Sequence, residues 1–418
     1  MSLLTRLADQ KILRSSWKAL HKEPFSYGID KITIDEFRNN LENELDGLST
    51  LLSSGKYTPQ MLRGHPLEKG KPRSRVTDKK DYRILKIPTV RDRVVQKAIE
   101  GLISEHLNKR YKVVNNGVSF AYVKDGGVEK AAEQIRQYYK SGYMYAYKAD
   151  IKKFFDRIDK ALLLNKVGTA LPDKSLLPLI KQFLEIDIAN VEQIEERTKK
   201  EYEYNPTLGV AQGSPLSPLF ANVYLADFDQ SIIRKKLKMV RYADDIVILC
   251  KTEQAAIDAH DLVESELLKL KLELHPLLRP RELPVSGHNK HSIVRKYSGL
   301  IFLGLCFKGQ KIYPPSGDSY SNAIWTVRRA AYNQKLTFTK KLISIDARIQ
   351  GWCSSYAFTD YLDEKTLKND KLLEDVLTKM LNKSGLRVVG HKTAQQALGI
   401  EGYKTRINRL QTQRNEKS

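Results

Sequence analysis

The chain has 418 residues, 41% hydrophobic and 29% charged, which is a globular composition rather than a disordered one. Lys and Arg total 71 against 49 Asp and Glu, and the formal net charge of +22 favours a polyanionic partner, since each phosphate neutralised releases a condensed counterion. No apolar run reaches the roughly 18 residues that a spanning helix needs, and MSLLTRLADQKILRSS has no signal-peptide core, so the expectation is a cytoplasmic protein away from membranes. Cys250, Cys306 and Cys353 are too scattered for a disulfide framework or a zinc pair, and they read as small buried hydrophobes.

In chain order, residues 33–57 predict a helix with Phe37, Leu41, Leu45 and Leu48 on one face, opened by a Thr33/Glu36 capping box. Residues 63–93 are dense in Lys and Arg and carry the strand-like YRILKIP. RDRVVQKAIEGLISEHLNKRY (91–111) predicts an amphipathic helix. GYMYAYKADI (142–151) alternates as a strand that ends at Asp150, on the Met144/Ala146/Lys148 face. SPLSPLFANVYLADFDQSI (214–232) turns helical after its two prolines. MVRYADDIVILC (239–250) predicts a hairpin, followed by a helix from about Glu253 to Leu272 and a short strand GLIFLGLCF (299–307). From about residue 320 the chain reads as helical and basic. Helices mixed with a small, antiparallel sheet indicate α+β architecture.

Asp150 and the Asp244–Asp245 pair therefore stand at strand ends. Adjacent aspartates fit two readings: a polar turn, because Asp tolerates turn conformations, or a metal site. Carboxylates from separate strands are what two-metal phosphoryl or nucleotidyl transfer requires. The residues alone leave that choice open.

YADD (242–245), ADIKKFFDRID (149–159), GVAQGSPLSPLFANVYLADFD (209–229), YRILKIPTVRDRVVQKAI (82–99), SFAYVKDGG (119–127), FLG (302–304) and IQGWCSSY (349–356) occur in one order. That order resembles the polymerase domain of reverse transcriptases, especially the bacterial group II intron type, over roughly residues 10–360. The resemblance implies a right-hand polymerase: an N-terminal extension and fingers over 1–145, a palm with a small antiparallel sheet over 146–312, and a helical thumb with a basic tail over 313–418. It implies an RNA-directed DNA polymerase using two Mg2+ ions, with Mn2+ as a substitute, and an RNA template, dNTPs and a cDNA product as partners. Asp150, Asp244 and Asp245 would bind the ions, assisted by the Ile151 carbonyl. Phe155 matches the position whose ring excludes a ribose 2′-hydroxyl. Arg83 matches the triphosphate arginine, joined by Lys79 or Lys80. Gln212 and Gly213 would lie against the nascent pair. Lys290 would act as general acid to the leaving pyrophosphate. Tyr242 and the Phe302-Leu303-Gly304 grip would meet the primer.

The sequence also departs from the intron-encoded pattern. Ser214 stands where those enzymes carry a second glycine, and KKDYRILK lacks the glycine and proline of their fingers motif. No Cys-rich endonuclease segment is evident. The expectation is a stand-alone enzyme acting with a bacterial noncoding RNA in phage defence. The alternatives are a group II intron maturase, an RNA-binding scaffold and an RNA-directed RNA polymerase.

Overall fold

A computed structural model describes residues 1–20, 26–69, 81–114, 116–194, 205–275, 277, 292–295, 299–314, 318–360, 363–388 and 392–416. Two compact units emerge, one built from Met1–Ala131 with Tyr147–Ile293 and the other from Ala132–Ala146 with Val294–Ser418. Helices and small antiparallel sheets give the expected α+β class. Among the described residues, no helix is long and apolar enough to cross a membrane.

The first unit opens with α1 (Leu3–Leu7), α2 (Gln10–Ala19), α3 (Ile34–Asn39) and α4 (Leu41–Ser53). The capping box is present: Thr33 N donates to Glu36 Oε2 (2.8 Å) and Glu36 N to Thr33 Oγ1 (3.2 Å). The single expected helix instead breaks at Asn40, φ −117°, because Asn39 and Asn40 compete poorly in a helix interior. β1 (Arg63–Lys69) and β2 (Asp81–Ile87) pair antiparallel.

Helix α5 (Val90–Tyr111) is not the one-faced surface helix that its sequence predicts. Its first turns are buried all round, including Asp92 and Gln96. Both polar groups have partners: Thr89 Oγ1 and Tyr57 Oη donate to Asp92 (2.7 and 2.5 Å), and Ser214 Oγ donates to Gln96 Oε1 (2.9 Å). Burial raises the Asp92 carboxyl above its ordinary range, and those hydroxyls partly offset the effect.

Next come α6 (Val128–Lys140), β3 (Tyr145–Asp150), α7 (Phe154–Arg157), α8 (Lys160–Ala170), α9 (Leu177–Glu185), α10 (Ser217–Tyr224) and α11 (Ala226–Arg234). They are followed by β4 (Lys238–Tyr242), β5 (Asp245–Cys250), α12 (Glu253–Leu268) and β6 (Ser292–Arg295). The four-stranded sheet has the order β4-β5-β3-β6. As an inner strand, β3 buries residues on both faces, Ala146 and Ala149 as well as Tyr147, so its alternation does not mark one solvent face. Ile246, Val247, Ile248 and Leu249 of β5 are at most 1% exposed. Full burial of each such side chain stabilises by about 1.5–3 kcal/mol.

The second unit contains the three-stranded sheet β7 (Leu300–Phe302), β8 (Leu305–Lys308) and β9 (Lys311–Tyr313). The single strand expected over 299–307 is a hairpin instead, with Phe302 opposite Leu305 and both turn residues at positive φ. Helices α13 (Asp318–Ala331), α14 (Phe338–Tyr356), α15 (Asp363–Lys383), α16 (Ala394–Leu398) and α17 (Tyr403–Asn415) complete it. Trp352 packs its ring against Tyr320, Tyr356 and Tyr403 at centroid separations of 5.3, 5.1 and 5.4 Å. Asp370 of α15 caps α17, accepting from the backbone N–H groups of Tyr403 (2.5 Å) and Lys404 (3.1 Å). Cys250 and Cys353 are buried and Cys306 is partly so, and burial pushes each thiol upward.

Candidate active site

Asp150 closes β3 at 5% exposure, while Asp244 and Asp245 are half-buried on the β4–β5 hairpin. Tyr242 lies opposite Asp245, so the turn itself is Ala243–Asp244. The paired aspartates thus occupy two environments, Asp244 in the turn and Asp245 as the first residue of β5, a strand adjacent to β3. His275 flanks Asp150: its Nε2 is 3.5 Å from Asp150 Oδ2, and its backbone N donates to the Asp150 carbonyl (3.2 Å). Ile151 is buried and bridges to Leu274.

Beneath the turn lies Arg241, a charged side chain at 0% exposure. Its Nε and Nη2 donate to Asp229 Oδ1 (2.8 Å) and Oδ2 (2.5 Å), a bidentate pair. Nη1 donates to Asn222 Oδ1 (3.2 Å) and to the Ala243 carbonyl (3.0 Å). Asn116 Nδ2 adds a bond to Asp229 Oδ2 (3.1 Å), and Asn222 Nδ2 donates to the Ala121 carbonyl (3.0 Å). Two buried charges are tolerable when each is paired and hydrogen-bonded, as here. The network ends on Ala243, whose φ of 57° is costly for any residue with a Cβ.

Phe155 sits on α7 beside Phe154 (centroids 5.3 Å apart); Phe154 is the buried ring, and Phe155 is half-exposed. Arg83 is exposed on β2, opposite Leu67. Gln212 and Gly213 form a turn held to that same strand, with Lys86 N donating to the Gln212 carbonyl (2.9 Å). Gly213 has φ 127°, and a Cβ there would meet the Lys86 carbonyl at 2.9 Å, so its small size serves strand–loop approach inside the protein. Lys79, Lys80 and Lys290 lie outside the described residues. Phe302, Leu303 and Gly304 lie in the second unit, on the β7–β8 hairpin; Phe302 is buried and Gly304 exposed.

Oxygen donors from three carboxylates suit a hard cation, and Mg2+ uses few protein carboxylates, completing its shell with phosphates and water. Among the described residues, no three His, Cys, Asp or Glu side chains stand close enough together to hold a metal ion. The fit to Mg2+ is one of donor type: carboxylate oxygens at Asp150, Asp244 and Asp245.

The roles of Arg241, Asp229 and Asn222, which lie inside the segments described above, and of His275, which lies outside them, are not legible in the sequence. An arginine inside an apolar strand was the available signal for the first, but its partners lie 12 and 19 residues away.

Residues 69–277, half of the chain, match the family described as Reverse transcriptase (RNA-dependent DNA polymerase), and the chain belongs to that family. Membership gives it the right-hand polymerase fold class. It is similar to the group II intron-encoded protein LtrA of Lactococcus lactis subsp. cremoris, 28% identical over 215 residues, 51% of this chain and 32% of LtrA. It also resembles Protein YkfC of Escherichia coli (strain K12), 23% identical over 336 residues, 71% of this chain and 79% of YkfC. A chain in the structure titled "Partial Cas6-RT-Cas1--Cas2 complex" is 26% identical, covering 65% of this chain and 42% of that one, at a TM-score of 0.38. This chain spans about a third of the length of LtrA.

Proposed function

We propose that the chain is an RNA-directed DNA polymerase that extends a primer from dNTPs on an RNA template. The observation that carries this reading is the placement of Asp150 and Asp245 on neighbouring strands, with Asp244 in the adjoining turn, inside the segment that matches the family. Asp150, Asp244 and Asp245, with the Ile151 carbonyl, would hold two Mg2+ ions (or Mn2+), which when bound activate the attacking hydroxyl and neutralise the leaving group. The chain's own residues do the selecting and orienting. Arg83 offers a forked contact to the triphosphate, joined by Lys79. The Phe155 ring, half-exposed, would exclude a ribose 2′-hydroxyl. Gln212 and Gly213 line the nascent pair, Tyr242 and Phe302–Gly304 contact the primer, and Lys290 returns a proton to pyrophosphate. The parts are assigned as fingers to 1–145, palm to 146–312 and thumb to 313–418.

The finer reading is a cytoplasmic, stand-alone enzyme that copies a bacterial noncoding RNA in phage defence. It is supported by departures from the intron pattern, above all Ser214, whose hydroxyl is spent on the buried Gln96. The likeness to LtrA favours the second reading, a maturase that binds its intron RNA.

Primer extension on an RNA template tests the enzyme. Wild type is expected to incorporate dNTPs over NTPs, Phe155→Ala to admit NTPs, and Asp244→Asn with Asp245→Asn to abolish synthesis. Equal or preferred NTP use by wild type would sink the gate assignment. Sequencing the RNA and cDNA that co-purify separates the two roles, because an intron RNA excludes the defence reading.

A further inference from the structure

The loop between α5 and α6 carries Tyr122, a residue of the SFAYVKDGG segment to which the proposed mechanism gives no role. Tyr122 is 52% exposed and holds φ 60°, a left-handed conformation that costs on the order of 1 kcal/mol or more outside glycine. The loop is not loose. Phe120 N donates to the Arg241 carbonyl (2.9 Å), Arg241 N to the Val118 carbonyl (2.7 Å), and Gly127 N closes the loop on the Phe120 carbonyl (2.8 Å). Asn222 Nδ2 holds the carbonyl of Ala121, the residue before Tyr122. The same buried network that fixes the hairpin turn therefore fixes this tyrosine beside it. A half-exposed aromatic residue is thus held, through its backbone, beside the strand that leads into the aspartate hairpin.

The geometry points to Tyr122 as a nucleobase platform that stacks on the nascent base pair beside the β4–β5 hairpin. Base–aromatic stacking is indifferent to sequence, because every base has a π-face, and this suits a polymerase that must accept all four pairs. The strained backbone is then the cost of keeping the ring half-exposed instead of in the core. This inference rests on the polymerase reading above.

The test uses the full chain bound to an RNA template with a dideoxy-terminated primer, so that dNTP affinity is measured without chemistry. Tyr122→Ala is expected to weaken dNTP binding by about tenfold, in the range one base stack contributes, with primer–template affinity within about twofold of wild type. Tyr122→Phe keeps the ring and should bind as wild type does. Tyr122→Gly removes the ring and also relieves the left-handed strain. It should melt no lower than Tyr122→Ala yet bind dNTP as poorly, which separates a binding role from a folding one. Wild-type dNTP affinity in the Ala and Gly variants overturns the proposal. So does a Phe variant as weak as Ala, because the hydroxyl would then be the working group. A wild-type chain that binds dNTP but does not extend an ordinary primer refutes the polymerase reading alone.

Discussion

Two tight hairpins in this chain each place a residue other than glycine in the left-handed region, and they hold it by different means. The β7–β8 turn is local. Leu303 at φ 52° is followed by Gly304 at φ 71°, two consecutive positive values, as a two-residue hairpin turn prefers, with glycine in the second place. The β4–β5 turn has Ala243 at φ 57° and no glycine, and its support comes from Arg241, anchored on Asp229 and Asn222. The first turn is specified by its own dipeptide. The second is specified by residues of two helices distant in sequence, and it is the one that carries the aspartates. A turn that must present charges in a fixed direction gains from being over-determined by its surroundings.

The largest expected effect breaks the second arrangement. Arg241→Met strands Asp229 as a buried, uncompensated charge and should cost about 3–5 kcal/mol in chemical denaturation. Adding Asp229→Leu removes the other charge and should recover much of that stability. Primer extension should nonetheless remain about 10²-fold low, because the Ala243 carbonyl has lost its donor and the turn is free to shift by fractions of an ångström. If activity returns along with stability, the network is only structural.

A smaller effect is expected at the local turn. Gly304→Ala meets no atom within 4 Å, so its cost is conformational, about 1 kcal/mol. Loss of amide protection confined to β7 and β8 would register it. The smallest effect is at Ala243→Gly, where released strain offsets the added freedom of the unfolded chain, leaving stability within about 1 kcal/mol. Extension should stay within a few-fold of wild type, since Arg241 still grips the carbonyl. A collapse of activity there would mean that the side chain of Ala243, rather than the network, sets the turn.

Much of the candidate site was legible in the sequence because it is built from contiguous motifs. YADD reads as a hairpin from its flanking apolar runs, and Thr33 with Glu36 reads as a capping box from spacing alone. What stayed hidden depends on the tertiary surroundings. The alternation around Tyr147 reads as a strand but does not reveal that it is an inner one, with residues buried on both faces. The three-residue period of α5 suggests a surface helix, but Asp92 and Gln96 are satisfied by Tyr57, Thr89 and Ser214, so the polar side can be buried as well. The Arg241 cluster joins positions 116, 222, 229 and 241, and no local window spans them.

The junction of β2 with the loop at Gln212–Ser214 has a mechanical consequence. Lys86 N holds the Gln212 carbonyl, Ser214 holds Gln96 of α5, and the missing side chain of Gly213 lets the backbones meet. The strand bearing Arg83 and the loop bearing Gln212 are therefore joined directly, backbone to backbone. A shift of β2 would then be shared by the loop, so a substitution that moves this strand should be felt at Gln212 as well.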